Sequence, residues 1–330
     1  MKAGVLQFFS WPGRRGPLEQ VYARALERIE IMDRSGYDAV WLAEHHFTTF
    51  SVCPSIHMMG ALAAARTKRL RIGTAVSLAA FYHPLRLAEE IALLDVLSGG
   101  RVNWGAGRGF DRTEFAAFGV SADESSPRFR EAVEIVLQAW TNERLTFAGE
   151  FHRFDDVEVL PKPLQQPHPP TWVAASSEPA IEWAAARGFS ILMDPHSSHR
   201  EIARKQRLYL DALKAHGHSA EGRELPVARL LAVAPTPSEA KEVARRGAGW
   251  VVGSYADEKH RPVLPFGGLE KREPATDPVE RYLNGVVLYG TPESLVDEIA
   301  QLRAEMNLEY LMCAPLSHES FTLFTDEVLP

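Results

Sequence analysis

The sequence predicts an α/β chain built as a closed (β/α)8 barrel. Two observations carry that expectation. Short apolar runs alternate with amphipathic stretches of helical spacing along most of the chain. Eight such runs occur, and nearly all of them are followed by a helix. Parallel neighbours need crossover connections, so repeated βα units imply a parallel sheet. Eight units fit a closed barrel better than an open sheet, and strands apolar on both faces suit a barrel covered by helices.

Residues 2–9 form the first apolar run. Val21, Ala25, Ile29 and Met32 recur at helical spacing over 18–35, and Ser35 with Gly36 ends that helix. The second strand spans 38–42. Pro54 opens a helix over about 54–66, and the third strand spans 70–76. Pro84 opens a helix to about 97, with Leu87, Ile91, Leu94 and Leu97 expected to face inward. Ser98, Gly99 and Gly100 turn the chain into a fourth strand at 101–106, and a helix follows at about 127–140. Residues 142–170 break the rhythm with Pro161, Pro163, Pro167, Pro169 and Pro170, which predict a short β excursion and a loop. The alternation resumes with strands at 171–174, 189–192, 226–234 and 309–313. Helices are expected at 178–187, 198–216, 237–247 and 291–306. The expected organisation is one domain over 1–330 with insertions at about 142–170 and 250–285. The second insertion is long, polar and beside the barrel mouth, which predicts an active-site lid.

Composition narrows the function. The apolar share is 45% and the charged share 24%, which excludes a disordered or collagen-like chain. There are 43 acids against 36 Lys and Arg, a net charge of −7 with basic residues scattered, so neither nucleic acid nor an anionic membrane is an expected partner. No segment approaches the roughly 18 apolar residues that span a bilayer. The N-terminal run reads as a strand rather than a signal peptide. Two cysteines, Cys53 and Cys313, are too few for a disulfide framework. A cytoplasmic location is expected.

Active sites of such barrels lie at the carboxyl ends of the strands. After the second strand come Glu44, His45 and His46. Three ionisable groups there suggest proton transfer, since histidine titrates near neutrality. A metal-dependent hydrolase using the same three residues is the weaker alternative, because adjacent side chains along a strand point to opposite faces. After the fourth strand, Gly105, Gly107 and Gly109 surround Arg108, whose planar fork suits a phosphate. Ser176 and Ser177 precede a helix and can either cap it or present hydroxyls and N–H groups to the same anion. Phe8, Phe9, Trp11, Phe47, Phe81, Tyr82 and Phe110 follow or end strands on the mouth side and are expected to line an apolar pocket.

Several of these segments together resemble the bacterial luciferase-like flavin monooxygenases. The segment 36–48, ending in Glu44-His45-His46-Phe47-Thr48, resembles the family's second strand. The match continues through Ile72-Gly73-Thr74-Ala75-Val76, His83-Pro84-Leu85-Arg86 and Leu94–Arg101. It then runs through Gly107-Arg108-Gly109, Glu182-Trp183-Ala184-Ala185 and Gly290-Thr291-Pro292-Glu293. The likeness runs in order from residue 2 to about 315 and is weakest over 142–170 and 250–280.

That resemblance implies a modified TIM barrel binding reduced FMN (FMNH2), supplied by a separate flavin reductase. It reacts with O2 to a flavin C4a-peroxide that inserts one oxygen atom into a small organic substrate. It also implies His45 as the catalytic histidine, Glu114 at the place of a family aspartate, and Arg108 and Ser176 as phosphate ligands. Arg128 would be a second phosphate contact. Ala75 and Val76 would be joined by a cis peptide beneath the isoalloxazine ring. Glu44 and Ser177 complete the expected cofactor contacts, and no metal is expected. Two departures stand out: Gly107 replaces the luciferase's reactive cysteine, and Ala175 replaces an acidic residue before the phosphate serine. A homodimer through the helices flanking the second and third strands is expected. A deazaflavin F420-dependent hydride-transfer enzyme and a flavin-storing protein are the remaining alternatives.

Overall fold

The computed structural model describes residues 1–255, 277–306 and 308–329. The fold is α/β, a mostly parallel sheet with surrounding helices. Contacts gather in two compact units, one of Met1–Gln7 with Val173–Pro330, the other of Phe8–Trp172. The chain opens with β1 (Lys2–Gln7), which belongs to the first of these.

The unit Phe8–Trp172 contains α1 (Leu18–Arg34), β2 (Ala39–Leu42), α2 (Ile56–Arg66), β3 (Arg71–Thr74), β4 (Ser77–Leu78), α3 (Pro84–Ser98) and β5 (Val102–Gly107). It continues through α4 (Arg112–Phe118), α5 (Ser125–Thr141) and an antiparallel hairpin of β6 (Leu145–Ala148) with β7 (Arg153–Val157). The boundary falls inside β8 (Thr171–Ala174). β2, β3 and β5 pair in parallel, with Trp41 beside Gly73 and Gly73 beside Asn103. The indole of Trp41 lies over Gly73, where any side-chain carbon would strike it. The Thr74 hydroxyl clamps β3 to β5, donating to the Gly105 carbonyl at 2.7 Å and accepting from its N–H at 2.8 Å. Ser55 caps α2 by accepting from the Met58 N–H, and Gly99 ends α3 in the left-handed conformation only glycine adopts freely.

The other unit adds α6 (Glu178–Ala186), β9 (Ser190–Leu192), α7 (His199–Ala215), β10 (Val227–Val233), α8 (Pro237–Ser254) and α9 (Pro278–Gly285). It ends with β11 (Val287–Gly290), α10 (Pro292–Met306), β12 (Tyr310–Pro315) and α11 (His318–Leu323). β1 pairs with β12, β12 with β10, and β10 with β11, all parallel. A further parallel bridge joins Met193 to Val227.

Several elements differ from the sequence expectation. β11 lies in no expected strand; its four apolar or small residues fit beside the second half of β10, with Leu230 opposite Val287. α8 runs on to Ser254 despite Gly247, Gly249 and Gly253, because Ala248 and Val251 keep a buried face. α9 occupies the end of the expected insertion, capped by Asp277 and opened by Pro278. Residues 256–276, most of the expected lid, lie outside the described residues. Leu97 is 62% exposed rather than inward, because the buried stripe of α3 follows Leu87, Ile91 and Leu94. Among the described residues no helix is long and apolar enough to cross a membrane.

The Trp41–Gly73 contact gives a direct test. Gly73→Ala should destabilise the protein by about 1–3 kcal/mol, the usual penalty for overpacking a core, read as a lower urea midpoint. An unchanged midpoint would show that the indole has room to move.

Candidate functional site

The unit Phe8–Trp172 holds most of the residues singled out in the sequence. Glu44 leaves the carboxyl end of β2 only 2% exposed. A carboxylate so placed must find donors, and it finds three. Oε1 accepts from the Tyr82 hydroxyl at 2.9 Å and pairs with His46 Nε2 at 2.9 Å, while Oε2 accepts from the Leu78 N–H at 3.2 Å. Burial first, and then the Glu44 charge, push the Tyr82 phenol upward, so Tyr82 stays the donor.

His46 is thereby fixed, and its backbone N–H donates to Glu114 Oε1 at 3.0 Å. His45 goes elsewhere. Its ring lies among Phe8 (6.2 Å between centroids), Phe50 (5.3 Å) and Phe110 (5.9 Å). Its Nδ1 stands 3.7 Å from the same Glu114 oxygen. The two histidines thus take different partners, and among the described residues no group of three His, Cys, Asp or Glu side chains is placed to hold a metal ion.

Glu114 is 1% exposed and sits in the first turn of α4. Asp111 caps that helix, accepting from the Thr113 N–H at 2.7 Å. The sequence reading has no helix here, although Asp111-Arg112-Thr113-Glu114 carries the spacing of a capping box. Here the Glu114 carboxylate turns to His46 and His45.

The expected pocket residues separate into groups. Phe8 and Phe110 wall His45, and Tyr82 serves Glu44. Phe9 is fully buried, its N–H held by the Ser51 hydroxyl. Phe81 stacks on Phe118 at 5.0 Å and meets Phe115 at 5.1 Å. Phe47 is 59% exposed in a left-handed turn (φ +58°), its ring on His46 and Phe118. Trp11 is tied by its indole N–H to the Gly16 carbonyl at 3.1 Å. Phe50 and Phe118 were not expected, since neither ends a strand.

The Ala75–Val76 peptide bond is cis, the conformation the resemblance implies there. Directly after it, Ser77 meets His57 Nε2 at 3.2 Å, and His57 Nδ1 meets Glu90 Oε2 at 2.8 Å. The hydrogen bond to His57, with help from Arg86, holds the Glu90 carboxyl down at about 2 against the effect of burial. Sequence gave no signal for this chain, because its members are far apart along α2, β4 and α3.

Arg108 follows β5 and is half-buried, with burial lowering its pKa. Its guanidinium reaches the Ser126 hydroxyl in the first turn of α5 at 3.3 Å, and no carboxylate among the described residues pairs with it. Arg128, also in α5, is already engaged: it pairs with Glu124 at 3.0 Å and lies 4.3 Å over the Phe151 ring. Ser176 and Ser177 belong to the other unit, where Ser177 stands at the N-cap of α6 without a side-chain cap bond.

The family model of the luciferase-like monooxygenases matches residues 1–307. The oxygenase component of a flavin-dependent trigonelline monooxygenase from Acinetobacter baylyi is 35% identical over 187 residues, which is 56% of this chain and 52% of that protein. The alignments reach only about half the length of the first curated relatives. Among solved structures, monooxygenase RslO1 from Streptomyces bottropensis superposes with a TM-score of 0.86 at 28% identity, covering 100% of this chain and 99% of that one. The oxygenating constituent of 3,6-diketocamphane monooxygenase from Pseudomonas putida, a type II Baeyer–Villiger enzyme in complex with FMN, shares the fold at 20% identity and a TM-score of 0.80, with 100% and 98% covered.

The depressed Glu90 predicts an acid dependence. Its folded pKa lies below the ordinary 4.5, so its stabilisation is complete above that pH and is lost as pH falls toward about 2. The stability difference between wild type and Glu90→Gln should therefore shrink as pH falls through this window in urea titrations. A difference that stays constant would contradict the His57–Glu90 assignment.

Proposed function

This chain belongs to the luciferase-like monooxygenase family, and on that footing we propose that it is a reduced-FMN-dependent monooxygenase acting as a single barrel domain. It would place one oxygen atom from O2 into a small organic substrate, with FMNH2 delivered by a separate flavin reductase.

The observation that carries the reading is Arg108, a half-buried guanidinium with no carboxylate partner among the described residues, held at the first turn of α5. An uncompensated cation beside a helix start suits a phosphate, which takes both the planar fork and the N–H groups there. The residues therefore fit FMN: Arg108 and Ser126 would hold its phosphate end. The Ala75–Val76 segment would support the ring. Arg128 is a weaker phosphate candidate, because Glu124 already neutralises it. When bound, reduced FMN supplies the electrons that activate O2.

The chain's own residues do the rest. His45 Nδ1 faces Glu114, which leaves Nε2 to exchange a proton with a bound molecule. Glu114 positions that ring from 3.7 Å. Phe8, Phe50 and Phe110 keep water from the ring, which limits wasteful proton leakage. Glu44 locks His46 and Tyr82 and so fixes the loop that presents His45.

The homodimer is part of the same proposal. Met58 and Leu62 on α2, with Leu93, Val96 and Leu97 on α3, are 44–73% exposed on two helices packed together. A contiguous apolar face of this kind marks a protein contact.

Two tests follow. Arg108→Ala should weaken FMN binding roughly 10–100-fold, the worth of a lost charge-assisted bond, in fluorescence titrations. His45→Ala should retain FMN affinity and lower reductase-coupled turnover about 100–10,000-fold, the range for general acid–base groups. Unchanged FMN affinity in the first, or unchanged turnover in the second, would remove that residue from its role. Saturation by F420 instead of FMN would favour the hydride-transfer alternative. Sedimentation velocity should find a dimer that Leu97→Glu dissociates; a concentration-independent monomer would contradict the α2–α3 contact.

A further inference from the structure

The unit Met1–Gln7 with Val173–Pro330 contains a second group of buried charges. Asp194 follows β9, and both its oxygens are filled. Oδ1 accepts from the N–H groups of His196 (3.0 Å) and Ser197 (2.7 Å). Oδ2 accepts from the Ser197 hydroxyl (3.0 Å) and from Lys205 Nζ (3.1 Å). Lys205 is fully buried on α7 and also reaches the Ser197 oxygen at 2.8 Å. Against burial, Lys205 and then His196 hold the Asp194 carboxyl down at about 2. Carboxylate and ammonium thus neutralise each other.

Arg229 has no such partner among the described residues. It lies on β10, 1% exposed, two residues beyond the Met193–Val227 bridge. Nη1 donates to the Ala228 carbonyl at 2.9 Å. Nε and Nη2 meet no acceptor among the described residues. These two nitrogens form one edge of the guanidinium, the edge that forks a carboxylate with two parallel hydrogen bonds. Burial brings Arg229 down only to about 10, with Asp194 opposing, so it keeps its charge at neutral pH. His199 Nδ1 is likewise buried without a partner among the described residues. Burial, and then the nearby Arg229, lower His199 to about 3 and leave it neutral, with an N–H to offer. The same His199 lines a cavity of about 420 Å³ with Ser198, Arg200, Arg207, Asn284 and Glu305. Arg200 and Arg207 form no ion pair among the described residues, so this cavity beside His199 is positive on balance.

We propose that the Nε–Nη2 edge of Arg229, with His199 beside it, is a receptor for a carboxylate, and that the substrate is an organic acid. A buried charged fork whose two nitrogens meet no acceptor among the described residues is unfavourable on its own, and a bidentate anion resolves it. Asp194 cannot serve, since Lys205 and Ser197 occupy it. As a statement about substrate, this rests on the monooxygenase reading; as a binding site it stands by itself.

The test is calorimetry on the flavin-free full chain with benzoate and hexanoate against benzamide and hexanamide. At least one acid should bind 10-fold or more tightly than its amide, a ratio that follows from the two hydrogen bonds to a charged group. Arg229→Met should abolish the preference without lowering Tm, because it removes an uncompensated charge at similar volume. If Arg229→Met fails to fold, Arg229→Lys carries the test: it keeps the charge, loses the fork, and should still lose the preference 10-fold or more. Equal binding of acid and amide, binding of neither, retention of the preference in these variants, or equal competition by inorganic phosphate would overturn the site. FMN titration of the wild type separates the two readings. Flavin binding without carboxylate binding sinks this inference alone, and the reverse sinks the flavin reading alone.

Discussion

A buried carboxylate has to fill its lone pairs, and at Glu44 that requirement organises the candidate site. Tyr82, His46 and the Leu78 N–H come from three stretches of chain, and each is drawn to the end of β2 by one carboxyl group. Once His46 is committed to Glu44, its backbone N–H is placed for Glu114, and His45 keeps one nitrogen without a partner among the described residues. Removing Glu44 would leave a phenol, an imidazole and an amide without their acceptor, each a buried polar group worth about 1–3 kcal/mol when unsatisfied. Positioning and chemistry are therefore divided between neighbours in sequence: Glu44 and His46 hold the loop, while His45 faces the aromatic walls.

Charge compensation divides the ionic side chains of this chain into two groups. His57 with Glu90, Lys205 with Asp194, and Arg128 with Glu124 are each closed pairs. Arg108 and Arg229 are not: both are withdrawn from water, and neither has a carboxylate partner among the described residues. A protein tolerates such a cation where an anion arrives to meet it. The two differ in their surroundings. Arg108 stands at a helix start with a serine, a phosphate-like setting, whereas Arg229 offers one flat edge beside a neutral histidine.

Much of this was legible in the sequence, and the gaps have physical causes. Strands buried on both faces announce themselves as apolar runs, so β2, β3, β5 and β10 fall within a residue or two of expectation. β11 did not, because a four-residue strand ending in glycine looks like the lead-in to α10. The places of Glu44, His45 and Arg108 just beyond strand ends were legible, because the strands before them are apolar runs. Phe50, His57, Glu90 and Ser126 were not, because they reach their partners through space from loops and helices with no local pattern. Arg128 matched a motif position yet is paired with Glu124, a contact four residues away that only the geometry reveals.

The central claim is that Arg108 and the His45 cluster serve a reduced flavin nucleotide. Anaerobic isothermal calorimetry of the wild-type chain with FMNH2 tests it most directly. The account predicts saturable binding of one FMNH2 per chain, micromolar or tighter. Absence of saturable heat with FMNH2, under conditions where reduced F420 or no flavin at all binds, would contradict it.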